Sequence, residues 1–246
     1  MNEPRADLQP ARGKPAEYGQ EIVRRRHRRS VALCAFEGKT VIDFGCGNGA
    51  QTIEFNAANV RILALDVERE SLNIFAGQLT KSGTGGILPV LFGGHTVPVA
   101  DSSADIVVCF EVLEHVDDDG FALDEIHRIL KPGGEMILSV PNRAWIFETH
   151  GARLPLLPWN RVPFFSWLPK RVHDRFANAR IYGRGEMSGL LARHRFRTLA
   201  SEYITAPMDV VSAHWLKSIL RRTIFTGDTT QVPFFSTSIL FHCAKL

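Results

Sequence analysis

Three groups of residues in this 246-residue chain have types and spacings that could do chemistry. The first is Val41-Ile42-Asp43-Phe44-Gly45-Cys46-Gly47-Asn48-Gly49-Ala50, an apolar run that breaks into alternating glycines. A glycine turn between a strand and a helix lets the backbone approach a ligand closely, and the helix N-terminus offers free N–H groups to an anion. The second is Asp66, which closes Leu63-Ala64-Leu65 twenty-one residues after Gly45. An acid there can accept hydrogen bonds from two ribose hydroxyls. The third is Glu111-Val112-Leu113-Glu114-His115, two carboxyls and an imidazole at the end of another apolar run. Such a set can take a proton from an acceptor, or can form a shell for Mg²⁺, Mn²⁺ or Zn²⁺. His150, after Phe147-Glu148-Thr149, is a second candidate base.

Gly45, Gly47 and Ala50 satisfy the dinucleotide pattern G-x-G-x-x-G/A, so the loop alone does not choose between cofactor classes. Asp43 does. Two residues before Gly45, its carboxylate is a poor neighbour for a pyrophosphate and a good one for a cationic amino-acid cofactor. Asp43 and Asp66 together favour S-adenosylmethionine, whose amino and sulfonium groups are both positive. An NAD-linked oxidoreductase is the remote alternative.

These groups must be held by regular elements. Short β-branched runs predict strands at 41–44, 60–65, 87–92, 104–110 and 135–140. Between them, Leu72, Phe75, Ala76 and Leu79 make one helical stripe, and Ala122, Leu123, Ile126, Ile129 and Leu130 another. The second stripe starts at acids 117–119 and stops at Lys131-Pro132-Gly133-Gly134. On it, Glu125, His127 and Arg128 are expected to face solvent. Alternating strand and helix argues for an open, doubly wound α/β sheet. Helices near 185–194 and 209–222 and strands near 197–204 and 234–243 follow, and there is no internal repeat. His173, His194 and His214 are expected on helices as surface or packing residues.

Two segments stand apart. Residues 1–17 read as a flexible tail, and 18–36 as a basic helix leading into a domain that runs to 246. Residues 142–182 carry Pro155, Pro158, Pro163 and Pro169 among Trp145, Phe147, Leu154, Trp159, Phe164, Phe165, Trp167 and Leu168. This segment reads as a lid over an apolar acceptor, as a small core against the late helices, or as both.

Composition is that of an ordinary globular domain, with 45% hydrophobic and 22% charged residues. The net charge is +3, and residues 1–30 alone contribute +4, nearly all from Arg24-Arg25-Arg26-His27-Arg28-Arg29. That cluster is first a solvated arginine-rich face, and otherwise a surface for anionic lipid or nucleic acid. The four cysteines are scattered without a CxxC pair, so reduced thiols are expected. No run reaches the ~18 apolar residues of a spanning helix, and the N-terminus lacks the apolar segment of a signal peptide. A cytoplasmic location is the expectation, with peripheral membrane contact as its variant.

Four tracts in order resemble the class I S-adenosylmethionine-dependent methyltransferases, in the branch with ubiquinone, menaquinone, lipid and natural-product enzymes. They are residues 41–49, Asp66, Asp105 through Val116, and Glu125 through Gly134. The resemblance implies a Rossmann-like, mostly parallel seven-stranded sheet with an antiparallel last strand, helices on both faces and the insertion after the fifth strand. It implies cofactor contacts from Asp43, Gly45, Cys46, Gly47, Asn48, Gly49, Asp66, Val67, Phe110 and Glu111. Where many relatives place an acid near adenine, this chain has Phe92-Gly93-Gly94-His95, which leaves a backbone carbonyl or Ser102 as acceptor.

In related quinone and small-RNA O-methyltransferases, E-x-x-E-H at this place resembles a metal site, here Glu111, Glu114 and His115. Elsewhere in the branch the tract works without metal, with Glu114 anchoring backbone and His115 packing or serving as base. That is the reading preferred here. The expected reaction is methyl transfer to a small, hydrophobic acceptor, at oxygen in preference to carbon. The alternative is RNA 2′-O-methylation, although Cys109-Phe110-Glu111-Val112 replaces the Asn/Asp-Pro-Pro-Tyr/Phe tract of nucleic-acid amino-methyltransferases. A cofactor-binding protein without catalysis has no feature in its favour.

Overall fold

The apolar runs form β1 (Thr40–Phe44), β2 (Arg61–Asp66), β3 (Ile87–Leu91), β4 (Ala104–Phe110) and β5 (Leu130–Pro141). They are followed by β6 (Phe196–Thr205), β7 (Thr229–Thr230) and β8 (Ser236–Lys245). The structure is a computed structural model that describes residues 16–56, 59–94, 96–147, 150, 163–209 and 211–246. One sheet holds all eight strands in the order β3-β2-β1-β4-β5-β8-β6-β7. β1 to β5 are mutually parallel, and β8 runs antiparallel to both β5 and β6. The expected antiparallel last strand is therefore present. The count is eight rather than seven because Thr229 and Thr230 add a two-residue edge to β6.

The strands alternate between two buried faces, which is why they read as continuous apolar runs. Ile42, Phe44, Val107, Cys109 and Leu138 pack under α3 (Asp119–Ile129) and α5 (Arg184–Arg193). Val41, Ile106, Val108 and Ile137 pack on the other face with Cys34 and Phe36, which follow α1 (Glu21–Leu33). α2 (Arg69–Ser82) covers Cys46 and Ala64 with Leu72 and Phe75. Two further helices, α4 (Lys170–Phe176) and α6 (His214–Thr223), lie in the insertion and between β6 and β7. α6 starts five residues later than its apolar pattern predicts.

Several expectations fail for identifiable reasons. Among the described residues between the glycine turn and β2 there is a single 3-10 turn, Thr52–Phe55, in place of the expected α-helix. It ends by burying Phe55 between Phe36 and Phe110, with the Phe110 ring stacked at 6.0 Å. Glu125 and His127 are buried rather than solvated. Glu125 accepts the Val97 N–H at 2.9 Å, and Arg128 donates to Val97 O, Val99 O and Asp101, so the pair straps the β3–β4 loop to α3. His127 packs edge-on to Phe196. His173 is buried against Phe165, His194 bonds Asp124, and His214 is exposed.

The arginine cluster is not an open solvated face either. Arg25 and Arg26 are 5% and 6% exposed. Arg25 donates to the carbonyls of Thr205 and Phe225, Arg28 pairs with Asp228, and Arg29 pairs with Glu202. α1 is thereby fastened to the β6–β7 region by guanidinium bonds, which only the tertiary partners reveal.

Of the insertion, residues 148–149 and 151–162 lie outside the described residues, as does most of the expected tail, 1–15. The described parts include the small core expected against the late segments. Trp145 builds a small core with Ala206 and Met208, while Phe164 and Trp167 stay exposed. No helix among the described residues is long and apolar enough to cross a membrane.

Candidate active site

Parallel strands end along one edge of the sheet, and ligands of open α/β sheets bind outside those carboxyl ends. Here that edge gathers the loop after β1, Asp66 at the end of β2, residues 110–115 after β4, and Asn142 and His150 after β5.

The glycine loop is tied to β2 by three hydrogen bonds. Gly45 and Cys46 both donate to Leu65 O at 2.9 Å, and Gly47 N–H donates to Asp66 Oδ2 at 2.7 Å. The other Asp66 oxygen accepts from Glu68 N–H at 2.8 Å, an arrangement that leaves the carboxylate fixed beside the loop. Burial raises the Asp66 carboxyl above its ordinary value, and the two N–H donors oppose that shift. Asp43 is 2% exposed and accepts from Thr52 Oγ1 at 2.6 Å. Burial pushes its carboxyl up to about 7, against the Thr52 hydroxyl and with help from Asp66. Val67 follows Asp66 directly in the connection to α2.

The loop's path requires glycine at two points. Gly45 has φ +80°, and a Cβ there would meet Val112 Cγ2 at 2.3 Å; Gly49 has φ +81°, and its Cβ would meet the Phe75 ring at 2.1 Å. Overpacking of that kind costs about 1–3 kcal/mol. A left-handed non-glycine residue adds about 1–2 kcal/mol. Gly49→Ala is therefore expected to lower the melting temperature more than Gly83→Ala, since Gly83 is also left-handed but has nothing within 4 Å. Paired thermal melts check this; equal shifts would mean that the Phe75 contact does not shape the loop.

The chain N-terminal to α1 lies over this loop. Tyr18 donates its hydroxyl hydrogen to Asn48 O, and Asn48 Nδ2 donates to Ala16 O at 3.1 Å. Asn48 Oδ1 accepts from Ala50 N–H at 3.1 Å. Cys46 is buried, and the Phe110 side chain belongs to the core, so only backbone of Phe110 reaches the edge.

Beyond β4 the tract 111–115 divides. Glu111 has φ +56°, pairs with Arg26 at 2.8 Å and accepts from Ser139 Oγ at 2.8 Å. Glu114, His115 and His150 come together instead, with donor atoms all within 4.8 Å of one another. His150 Nε2 lies 3.6 Å from Glu114 Oε1, and the two imidazoles meet edge to face at 4.8 Å. Glu111, grouped with Glu114 and His115 in the metal set that the resemblance implies, stands outside this group, and His150 stands in it.

Both Glu114 oxygens and His115 Nδ1 are buried without a hydrogen-bond partner. Burial, then the Glu111 charge, pushes the Glu114 carboxyl well above the usual range. Burial, then His150, lowers His115 to about 4, so this imidazole is neutral at ordinary pH. Buried polar atoms left unpaired are costly. A Glu114 carboxyl with both oxygens unpaired, set beside two imidazoles, matches what a divalent cation or a hydroxylic acceptor needs.

Sequence reading missed the residues that brace this tract. Arg180 N–H donates to Glu114 O at 3.1 Å, and its guanidinium reaches the carbonyls of Leu113, Val116 and Asp117. Tyr182 OH donates to Leu113 O at 3.2 Å. Asn142 donates to Pro233 O and Ser236 O, joining the start of the insertion to β8. Backbone partners leave no signature in the sequence. Ser102 is excluded as an adenine contact: it precedes β4, at the opposite end of the strands, with its N–H on Arg128 O. His95 lies outside the described residues.

Comparison with known proteins agrees with this geometry. Residues 42–138 match the family model described as a methyltransferase domain. The chain is 32% identical over 140 residues to a ubiquinone biosynthesis O-methyltransferase of Pseudomonas paraeruginosa, covering 56% of each chain. A protein of that name from Rhodopseudomonas palustris is 29% identical over 201 residues, covering 76% of this chain and 74% of its own. The chain thus spans little more than half the length of the Pseudomonas relatives it matches. Among solved structures, a SAM-dependent methyltransferase from Aquifex aeolicus superposes with TM-score 0.59 at 13% identity, over 90% of this chain and 89% of that one. The [4+2]-cyclase SpnF superposes with TM-score 0.63 at 13% identity, over 98% and 86%. At such identity the likeness is one of fold, and a fold hosts several chemistries.

Proposed function

We propose that this chain is a class I S-adenosylmethionine-dependent methyltransferase that methylates an oxygen of a small apolar acceptor of the quinone, lipid or natural-product kind. The observation that carries the reading is the Glu114–His115–His150 group, buried at Glu114 and half-buried at the two imidazoles, in a chain whose relatives are named O-methyltransferases.

S-adenosylmethionine, when bound, supplies a methyl group already activated on a positive sulfur. The chain's part is to hold it, align the acceptor and exclude water. In this reading Asp43 takes the amino group, Asp66 the ribose, and the backbone of residues 45–49 the methionine end, with Tyr18 closing over Asn48. An oxygen acceptor must also lose its proton. His115, which burial keeps neutral, and His150 are the bases within reach, and Glu114, 3.6 Å from His150 Nε2, accepts a hydrogen bond from the imidazolium that results. The same three side chains fit a divalent cation, which would lower the acceptor's pKa. The imidazoles can do the work unaided, and metal is not required by the reading.

Exposed Phe164, Trp167, Trp215, Ile219 and Phe234 support an apolar acceptor and peripheral contact with a membrane surface. They belong to the insertion and to the 206–235 segment, both of which begin at the reactive edge, where Pro141 pairs with Ser238 and Thr205 with Ser236. The RNA reading loses support, because Arg25 and Arg26 are buried and Arg28 and Arg29 are paired with Asp228 and Glu202.

Methyl-labelled cofactor, offered with apolar catechols or with short RNA, tests this proposal. Label should pass into the organic extract, and EDTA should leave the rate within about twofold if the imidazoles act alone. Label recovered on RNA, with none in the extract, would overturn the acceptor class.

A further inference from the structure

At the opposite end of the sheet, the last turn of α1 meets the start of β5. Cys34, just beyond α1, places Sγ 2.9 Å from Glu135 Oε2, and His242 Nε2 lies 2.9 Å from the same oxygen. All three ligand atoms fall within 4.8 Å of one another. The grouping is built by the sheet register. Glu135 pairs with Ala244 and Ile137 with His242, so Glu135 and His242 are diagonal neighbours on the face that α1 covers. Cys34 and His242 are 6% and 7% exposed. Cys34 and Glu135 also line a cavity of about 310 Å³, together with Lys39, Asp105 and Lys131.

We propose that Cys34, Glu135 and His242 form a binding site for a zinc-class divalent cation, reached through this cavity and completed there by water or a small anion. Thiolate, imidazole and carboxylate are the ligand types zinc takes, whereas magnesium and calcium select oxygen. Ligand atoms about 2.0–2.3 Å from one tetrahedral ion stand roughly 3.3–3.6 Å apart. The two 2.9 Å contacts to Glu135 Oε2 need open by only about half an ångström, and they hold the three side chains together in the ion's absence. Three protein ligands leave a fourth position, and the cavity lies against two of the three.

The site is separate from the reactive edge. Glu135 and Pro141 are six residues apart on β5, about 20 Å at ~3.3 Å per residue. An ion here would tie α1 to β5 and β8, and α1 carries Arg26, the partner of Glu111. Its ligands are 101 and 107 residues apart in the chain, so no metal-binding spacing announces it.

Cobalt(II) titration of the purified 246-residue chain provides the test, because only a thiolate ligand gives the near-ultraviolet sulfur-to-cobalt band. Glu114, His115 and His150 contain no thiol and cannot produce it. One equivalent should bring up the band, zinc should bleach it, and both Cys34→Ser and His242→Gln should abolish it. Zinc should also raise the melting temperature of the wild type but not of either variant. No band in the wild type would overturn the proposal without recourse to a variant. A band that survives both substitutions, or an equal zinc-induced shift in all three proteins, would overturn it too.

Discussion

Asp66→Ala is expected to weaken S-adenosylhomocysteine binding by at least about 100-fold while the protein stays folded. The carboxylate is assigned two ribose hydroxyls, and hydrogen bonds to a charged group are worth about 1.5–3 kcal/mol each. Losing both corresponds to two or more decades in Kd. The same side chain holds Gly47 N–H and Glu68 N–H, so the variant also loosens the glycine loop. Asp66→Asn keeps the shape and one carbonyl acceptor, and should fall between wild type and alanine. Calorimetric titration of the three proteins distinguishes the roles. If alanine and wild type bind alike, Asp66 is only a brace for the loop.

Glu114→Gln is expected to lower kcat by about 10²–10⁴-fold, the usual reach of general acid–base assistance, with S-adenosylhomocysteine affinity unchanged within about twofold. The variant should lose no stability at neutral pH. Glu114 is buried with both oxygens unpaired, and its carboxyl is held well above its ordinary value of 4.5. A raised folded-state value means that the folded protein retains a proton the unfolded chain releases. Its contribution is therefore full below about 4.5 and is lost as pH rises toward the folded value. Glutamine has no such proton. The melting temperature of Glu114→Gln relative to wild type should thus climb as pH increases above 4.5. A variant that keeps full kcat, or whose relative stability falls over that interval, would remove Glu114 from the reactive group.

The parts of the molecule legible in the sequence are those set by short-range pattern. β4 matches its predicted bounds of 104–110, because a buried parallel strand is apolar at every position and stops where Glu111 begins. Asp43, the glycine loop and Asp66 were legible for a similar reason, since turn and acid sit at fixed offsets from two strand ends. What escaped depends on distant partners. Arg25 and Arg26 look like surface residues until the carbonyls after β6 and the Glu111 carboxylate are seen opposite them. Glu125 reads as solvated because its partner, the Val97 N–H, comes from a loop with no periodicity. The 3-10 turn at Thr52–Phe55 is set by the burial of Phe55 against Phe36 and Phe110, a tertiary demand that overrides the expected helix. Arg180 acts on the reactive tract through carbonyls, which have no residue identity to read.

The central claim is that the loop at 45–49, with Asp43 and Asp66, is built for S-adenosylmethionine. Calorimetric titration of the wild-type protein with S-adenosylhomocysteine, and separately with NADH, tests it most directly. The account predicts one site per chain with micromolar Kd for S-adenosylhomocysteine and no measurable heat with NADH. Saturable NADH binding without S-adenosylhomocysteine binding would contradict it, and would return the glycine loop to the dinucleotide class.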